Sequence, residues 1–430
     1  MLATDPRHTT YASVEATSVT LSLARWADRF PDRTAVVDIS EDRLYAPAET
    51  IHEDRVSYGA LSAIADRTAE RLATLGIGPG DTVCLVTRNR VATLGLFFAC
   101  RRLGATLAPV SHLLTPASVE RPFGVLEPEI VVAEAAQRDL VRSIPFDRSV
   151  TLAELSETDR AGVEVDDRRP GDAPLLALHG QSGRPVAGYA SETLKRNCRT
   201  AVAAWGLAAN DVVPLTTPLA APDGLVRVAL SVVYVGGTLL LDRAFDPGDA
   251  ATAIAEEGAT LLPGRATVLR DIAAETGFDA AADRLERAVC EAPVDDDVIE
   301  TYRDRDVPVA RAYGRLECPT ALSEGFVGDT RVDESEGSPV GRPVPDCRAR
   351  LVDDEGTVLE GAADGRLQLS GPVVADGYVN AAGTADEQRD EPTALERTGD
   401  DAGDRGWIAD GWFDTGDRFR RDEAGTYYLR

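Results

Sequence analysis

Residues 57–86 read SYGALSAIADRTAERLATLGIGPGDTVCLV. Apolar groups at Tyr58, Leu61, Ile64, Leu72 and Leu75 recur at helical spacing. Gly76 ends that helix, and Gly78-Pro79-Gly80-Asp81 turns the chain into a strand at Val83–Val86. A second helix is expected over 91–103, then short strands at Leu107–Val110 and, after Pro128, at Ile130–Ala133. A parallel strand neighbour needs a crossover, and a helix is the usual one, so this alternation implies parallel pairing with helices on both faces. The fold class read from it is α/β.

The rhythm resumes beyond the acidic stretch at 166–174. Strands are expected at 174–178, 212–217, 238–242, 260–263, 286–290 and 308–312, with helices over 191–205, 224–234, 248–257, 267–275 and 295–304. That describes a second doubly wound parallel sheet. From about 338, short runs such as Arg348–Val352 and Gly365–Ser370 alternate with Gly and Asp turns, the pattern of a small antiparallel, barrel-like unit. The acidic segment 381–410 has little apolar period and reads as a long surface loop. The expected sub-domains are therefore 15–170, 171–337 and 338–430, with no internal repeat.

The 430 residues carry 45 Lys plus Arg against 72 Asp plus Glu, a net charge of −27. Such a surface repels nucleic acid and anionic membranes. The single lysine is Lys195, so every other cation is arginine. A solvated, acidic, lysine-poor surface is the kind found on salt-adapted cytoplasmic proteins. The six cysteines, at 84, 100, 198, 290, 318 and 347, form no CxxC pair and read as free buried thiols of a reducing compartment. The four histidines lack metal spacing. No signal peptide is expected, because residues 1–19 are polar and carry both charges. The most apolar stretch, 226–241, contains Arg227 and a Gly236-Gly237 break, so it reads as helix, turn and strand rather than a membrane span.

Gly411-Trp412-Phe413-Asp414-Thr415-Gly416-Asp417 closely resembles a signature of the adenylate-forming enzymes: acyl-CoA synthetases, firefly luciferases and peptide-synthetase adenylation domains. Other landmarks agree in order and spacing. They include the run Trp26 to Ala35, the run Val56 to Leu61, Gly76 to Asp81, and Gly341-Arg342-Pro343-Val344-Pro345. The resemblance covers roughly residues 15–430 and implies the family's large N-terminal domain. It further implies that the small C-terminal domain beyond the hinge is absent here and supplied, if at all, by a separate chain. It assigns Asp417 to both ribose hydroxyls of ATP, a task that suits a carboxylate accepting two charge-assisted hydrogen bonds.

The family also uses a Ser/Thr/Gly-rich loop whose backbone N–H groups cradle phosphate. The matching stretch here is 178–187, with Gly180, Ser182, Gly183 and Pro185 kept. Leu178 and Gln181 stand where the family has hydroxyls, and Val186 stands where it has a lysine. His179 reads as an ordinary loop histidine, and Arg184 as a charge pointing elsewhere. The Tyr-Gly-x-Thr-Glu motif appears as Tyr313-Gly314-Arg315-Leu316-Glu317. By resemblance Tyr313 and Gly314 lie at adenine, and Glu317 is the catalytic carboxylate that holds Mg²⁺. Leu316 replaces the hydroxyl that meets the α-phosphate. Cys290-Glu291-Ala292-Pro293 replaces a glycine-rich adenine turn, and Ala220-Ala221 replaces an aromatic–His pair on the acyl side.

The resemblance thus implies ATP, Mg²⁺ and CoA chemistry on a small carboxylic acid, of the sort that feeds fatty-acid metabolism. Acid and ATP would give acyl-AMP and pyrophosphate, and CoA would then displace AMP. The scaffold motifs survive while groups that touch phosphate are eroded, so weak or incomplete activity is expected. A non-catalytic relative that binds a nucleotide or a partner protein stays open as the alternative.

Overall fold

The computed structural model describes residues 21–40, 54–144, 146, 148–158, 173–326, 338–379, 406–408 and 411–430. The expected divisions near residues 15, 170 and 337 lie outside these residues.

The opening stretch folds as its punctuation dictates. Ser57 caps the helix Tyr58–Thr74 by accepting from the Ala60 N–H at 3.2 Å. Its buried face is Leu61, Ile64, Ala65, Ala69 and Leu72. Gly76 closes it in the left-handed region (φ 85°), donating to Ala73 O while Ile77 donates to Leu72 O. Asp81 then fixes the turn by accepting from Gly78 N at 2.7 Å, and the strand Thr82–Thr87 follows.

Three sheets result. A seven-stranded sheet runs Gly377–Tyr378, Val186–Tyr189, Leu176–His179, Thr106–Ser111, Thr82–Thr87, Ile130–Ala133 and Ser149–Thr151. Its centre is parallel, with Cys84 opposite both Ala108 and Val131. A four-stranded sheet runs Arg55–Ser57, Thr34–Asp38, Thr238–Leu241 and Val212–Leu215, and it was not foreseen as a separate layer. The third sheet has eleven strands. Its parallel start, Leu261–Arg265, Arg287–Glu291 and Val309–Arg315, continues without a break into antiparallel strands as far as Arg348–Val352 and Val358–Leu359. The expected barrel-like unit is thus an antiparallel extension of a mixed sheet, and its described strands do not close on themselves.

Two local expectations change. The helix over 224–234 is a π-helix at Asp223–Ala229 followed by an α-helix at Leu230–Val235. Within the expected loop 381–410, Gly406–Ile408 is a strand paired with Trp412–Arg421; the rest lies outside the described residues. The stretch 226–241 is the buried helix, turn and strand expected, and among the described residues no helix is long and apolar enough to cross a membrane. The largest core, holding Leu61, Phe97, Leu107, Leu194, Leu225 and Leu239, packs the helices between sheets.

Candidate active site

Tyr313 sits near the carboxyl end of the parallel strand Val309–Arg315, buried to 3% exposure and edge-on to Phe419 at 4.9 Å. Its hydroxyl donates to Asp417 Oδ2. Burial first, and the Asp417 charge after it, push this phenol well above its ordinary pKa, so it stays a proton donor. Asp417 reaches this place on a bulge. The pairing of Ala363–Ser370 with Trp412–Arg421 shifts between Arg366 and Gln368, so Thr415-Gly416-Asp417 is thrown outward. Gly416 takes φ 72°, Asp414 Oδ1 accepts from Gly416 N at 3.0 Å, and Thr415 Oγ1 donates to Leu367 O at 2.8 Å. Asp414, Thr415 and Gly416 therefore hold the bulge, and Asp417 is what it presents.

A third side chain completes the cluster. Arg315 Nε donates to Asp417 Oδ2 at 2.6 Å, and its Nη2 donates to Oδ1. Nε also donates to the Tyr313 hydroxyl at 3.2 Å. Sequence reasoning gave Arg315 no part in the site. The available signal was a guanidinium two residues from a phenol whose motif is paired with a carboxylate motif.

Gly314, between them, is dictated by close approach: a Cβ there would lie 1.9 Å from Pro319 O. Glu317 is 2% exposed and accepts from the Tyr378 hydroxyl at 2.6 Å. Tyr378 pairs with Ala187, and Tyr189 donates to Leu316 O, so the hairpin bearing the 180–185 loop is fastened to the Glu317 segment.

The loop itself is folded inward. Gly180 N donates to Pro185 O and Gly183 N to Gly180 O, both at 2.9 Å. A Cβ on Gly180 would meet Arg184 O at 2.6 Å, and one on Gly183 would meet Pro122 Cδ and Ser118 O at 2.9 Å. Arg121 Nη1 donates to Ser182 O, and Arg184 Nε donates to Arg121 O. Two of the expected phosphate donors are therefore spent on the loop's own turn, and Arg184 is drawn onto the neighbouring helix Pro116–Leu126. His179 is no phosphate ligand. It is buried at the end of its strand, with Nδ1 directed to Gly180 O at 2.7 Å and Nε2 accepting from Ser111 N at 3.0 Å. No hydrogen bond joins Gly180, Ser182 or Gly183 to Tyr313 or Asp417.

The stretch with Ala220 and Ala221 is not a simple gap. The π-helix that follows it brings Asp223 and Arg227 toward Arg265 and Glu291. Arg265 pairs with Asp223 at 3.1 Å and Glu291 at 3.6 Å, and Arg227 reaches Glu291 at 3.4 Å. This charged quartet, with Asp223 and Arg227 buried and Arg265 half exposed, was missed from sequence. A cavity of about 550 Å³ lined by Arg25, Trp26, Arg199, Tyr234, Pro345 and Asp346 shares no residue with the site.

The profile of the AMP-binding enzyme family matches residues 23–178 and 189–379. The chain belongs to the AMP-binding enzyme family. Its curated relatives include CoA ligases. A feruloyl-CoA synthase of Amycolatopsis sp is 27% identical over 388 residues, covering 87% of this chain and 73% of the relative. An indoleacetate–CoA ligase of Aromatoleum aromaticum is 25% identical over 433 residues, covering 95% and 78%. The crystal structure of ATP-bound MatB from Rhodopseudomonas palustris shares the fold with a TM-score of 0.76 at 24% identity, covering 96% of this chain and 78% of that one. The chain is thus of the adenylate-forming acyl-CoA ligase family, and the comparisons give no support to the non-catalytic alternative.

Proposed function

We propose that this chain binds ATP and converts a small carboxylic acid to its acyl-adenylate, the first half of AMP-forming acid–thiol ligation. The observation that carries the reading is the meeting of Tyr313 and Asp417, 104 residues apart in sequence, near the carboxyl end of a parallel strand. Ligands of open α/β sheets collect at that edge. A phenol for the adenine and a carboxylate for the ribose diol form a donor set suited to adenosine. Glu317 offers one hard oxygen ligand, and among the described residues no cluster of three candidate metal ligands exists. That set fits a magnesium ion arriving with the triphosphate, not one caged by protein. Bound there, the ion would neutralise phosphate charge.

In the proposed step an oxygen of the acid attacks the α-phosphorus. That bond forms as the bond to the bridging oxygen breaks, and pyrophosphate leaves with the electron pair. No protein group changes covalently, so the chain contributes positioning and charge. CoA is the acceptor of the second half-reaction: its sulfur attacks the acyl carbon and AMP departs. Adenylation is slow in this reading, because Gly180 and Gly183 N–H are committed, Val186 is buried and apolar, and Leu316 offers no hydroxyl. Six buried free thiols and the acidic composition support a reducing, salt-rich cytoplasm as the setting.

The test is calorimetric titration of Mg-ATP into the wild type and Asp417→Ala in high salt. Pyrophosphate release and thioester formation are followed over a panel of aliphatic and aromatic acids, with and without a relative's small C-terminal domain in trans. Loss of ATP binding in Asp417→Ala is expected. Equal binding by the two proteins overturns the reading.

A further inference from the structure

Both oxygens of Asp417, the carboxylate proposed for the ribose, are engaged by one guanidinium. Arg315 holds Oδ2 through Nε at 2.6 Å and Oδ1 through Nη2. Oδ2 also accepts from the Tyr313 hydroxyl, so its acceptor sites are filled and a diol that takes both oxygens must displace the fork at Oδ2. The exchange at Oδ2 is balanced: it trades the Nε–H donor for an O–H donor. The released guanidinium, one fork shorter of partners, is then open to a new anion.

Among the described residues, the other arginines near the site are already engaged elsewhere. Val186 is 2% exposed and uncharged. Arg184 is bound to Arg121 O. Arg227 is bound to Pro319 O and Glu291, and Arg265 to Asp223 and Glu291. Arg315 differs from these in its partner: the carboxylate it holds is the one group a nucleotide would take from it. It also directly precedes Leu316, the position where a hydroxyl is missing. A guanidinium offers a planar fork of donors matched to phosphate oxygens.

We propose that Arg315 is the phosphate-binding cation of this chain, parked on Asp417 until a ribose diol displaces it. The inference rests on the nucleotide reading above and adds a residue to it. Adenosine must break the latch and gains nothing in return. AMP breaks it and supplies the guanidinium with a new partner.

Dissociation constants for adenosine and AMP are measured by calorimetry on wild type, Arg315→Gln and Arg315→Lys, with thermal melts to confirm folding. Wild type is expected to bind AMP at least tenfold more tightly than adenosine. Arg315→Gln should bind adenosine at least as tightly as wild type while losing most of the AMP advantage. Arg315→Lys keeps a cation but cannot fork onto the carboxylate, so it should bind adenosine more tightly and keep part of that advantage. Should the Gln variant fail to fold, the Lys variant alone decides: unchanged adenosine affinity overturns the latch. An unchanged AMP-to-adenosine ratio in Arg315→Gln overturns the inference and leaves the nucleotide reading standing. Equal weakening of both ligands marks Arg315 as structural and also overturns it. Binding of neither ligand by wild type overturns the nucleotide reading and the inference together.

Discussion

The guanidinium of Arg90 and the carboxylate of Glu134 meet at 2.6 Å with side chains only 6% and 2% exposed. The pair ties the start of the helix Val91–Leu103 to the end of the strand Ile130–Ala133. Glu134 also accepts from Thr87 Oγ1 and Arg88 N, both at 3.2 Å. Burial opposes its charge, but Arg90 and these two donors more than offset that, and its pKa lies below the ordinary value. Arg90→Met should cost about 3–5 kcal/mol, because it leaves a buried charge alone. Replacing both residues with apolar ones should cost much less. Urea unfolding of the single and double variants measures this; equal losses in both would show that the charge is not the cause.

A pH dependence follows from two histidines. Burial lowers the pKa of His179, only partly countered by its bond to Gly180 O. Burial and then Arg88 lower that of His112, against the pull of Glu134. The unfolded side chains take up protons near 6.5 and the folded ones at lower pH. Between those values the unfolded state binds more protons, so stability is fully present above 6.5 and declines as pH falls below it. Chemical denaturation between pH 8 and pH 5.5 should show this decline, and the His112→Gln/His179→Gln double variant should flatten it.

Gly314→Ala should destabilise the chain by about 3 kcal/mol or more, at the upper end for an overpacked site. Its Cβ would fall within 1.9 Å of a backbone oxygen, which cannot move as a side chain can. Nucleotide binding should fall with it, since Tyr313 and Arg315 flank the residue. A Gly314→Ala protein with an unchanged melting temperature would contradict the packing.

Restoring one lost hydroxyl offers a gain-of-function check. A single transition-state donor is commonly worth about 10²–10³ in rate. Leu316→Thr, at unrefined geometry, should raise pyrophosphate release about tenfold over wild type, well short of that full worth. Rates that do not change in any acid of the panel would count against slow adenylation as the defect.

The elements were legible because punctuation and period are local. The helices Val91–Leu103 and Ser191–Trp205 and the strand Ile130–Ala133 fall where spacing places them. The sheets were less legible. Nothing near Thr34–Asp38 says that it lies beside Thr238–Leu241, since strand partners are chosen by burial over the whole chain. The π-helix at Asp223–Ala229 was invisible for a different reason: its apolar residues are spaced as in an α-helix. In the site, Tyr313 and Asp417 could be paired from their motifs, and the structure brings them into contact. Arg315 was left out although it stands two residues from Tyr313, because its position in the motif is variable and the pairing had to be read through Asp417, 102 residues away. The inward fold of the 180–185 loop was hidden too, since glycines permit a cradle and a tight turn alike.

The strand Thr34–Asp38 has consequences for synthesis on the ribosome. Its only described neighbours are the short edge strand Arg55–Ser57 and, about two hundred positions later, Thr238–Leu241. Ala35, Val36 and Val37, all buried in the finished protein, therefore emerge long before their main partner exists. During that interval an apolar strand edge is open to other nascent chains. A strongly acidic chain provides its own defence, since neighbouring copies on one polysome repel each other. Chains released before residue 241 would keep this edge unsealed and should be the first to be bound by chaperones or degraded.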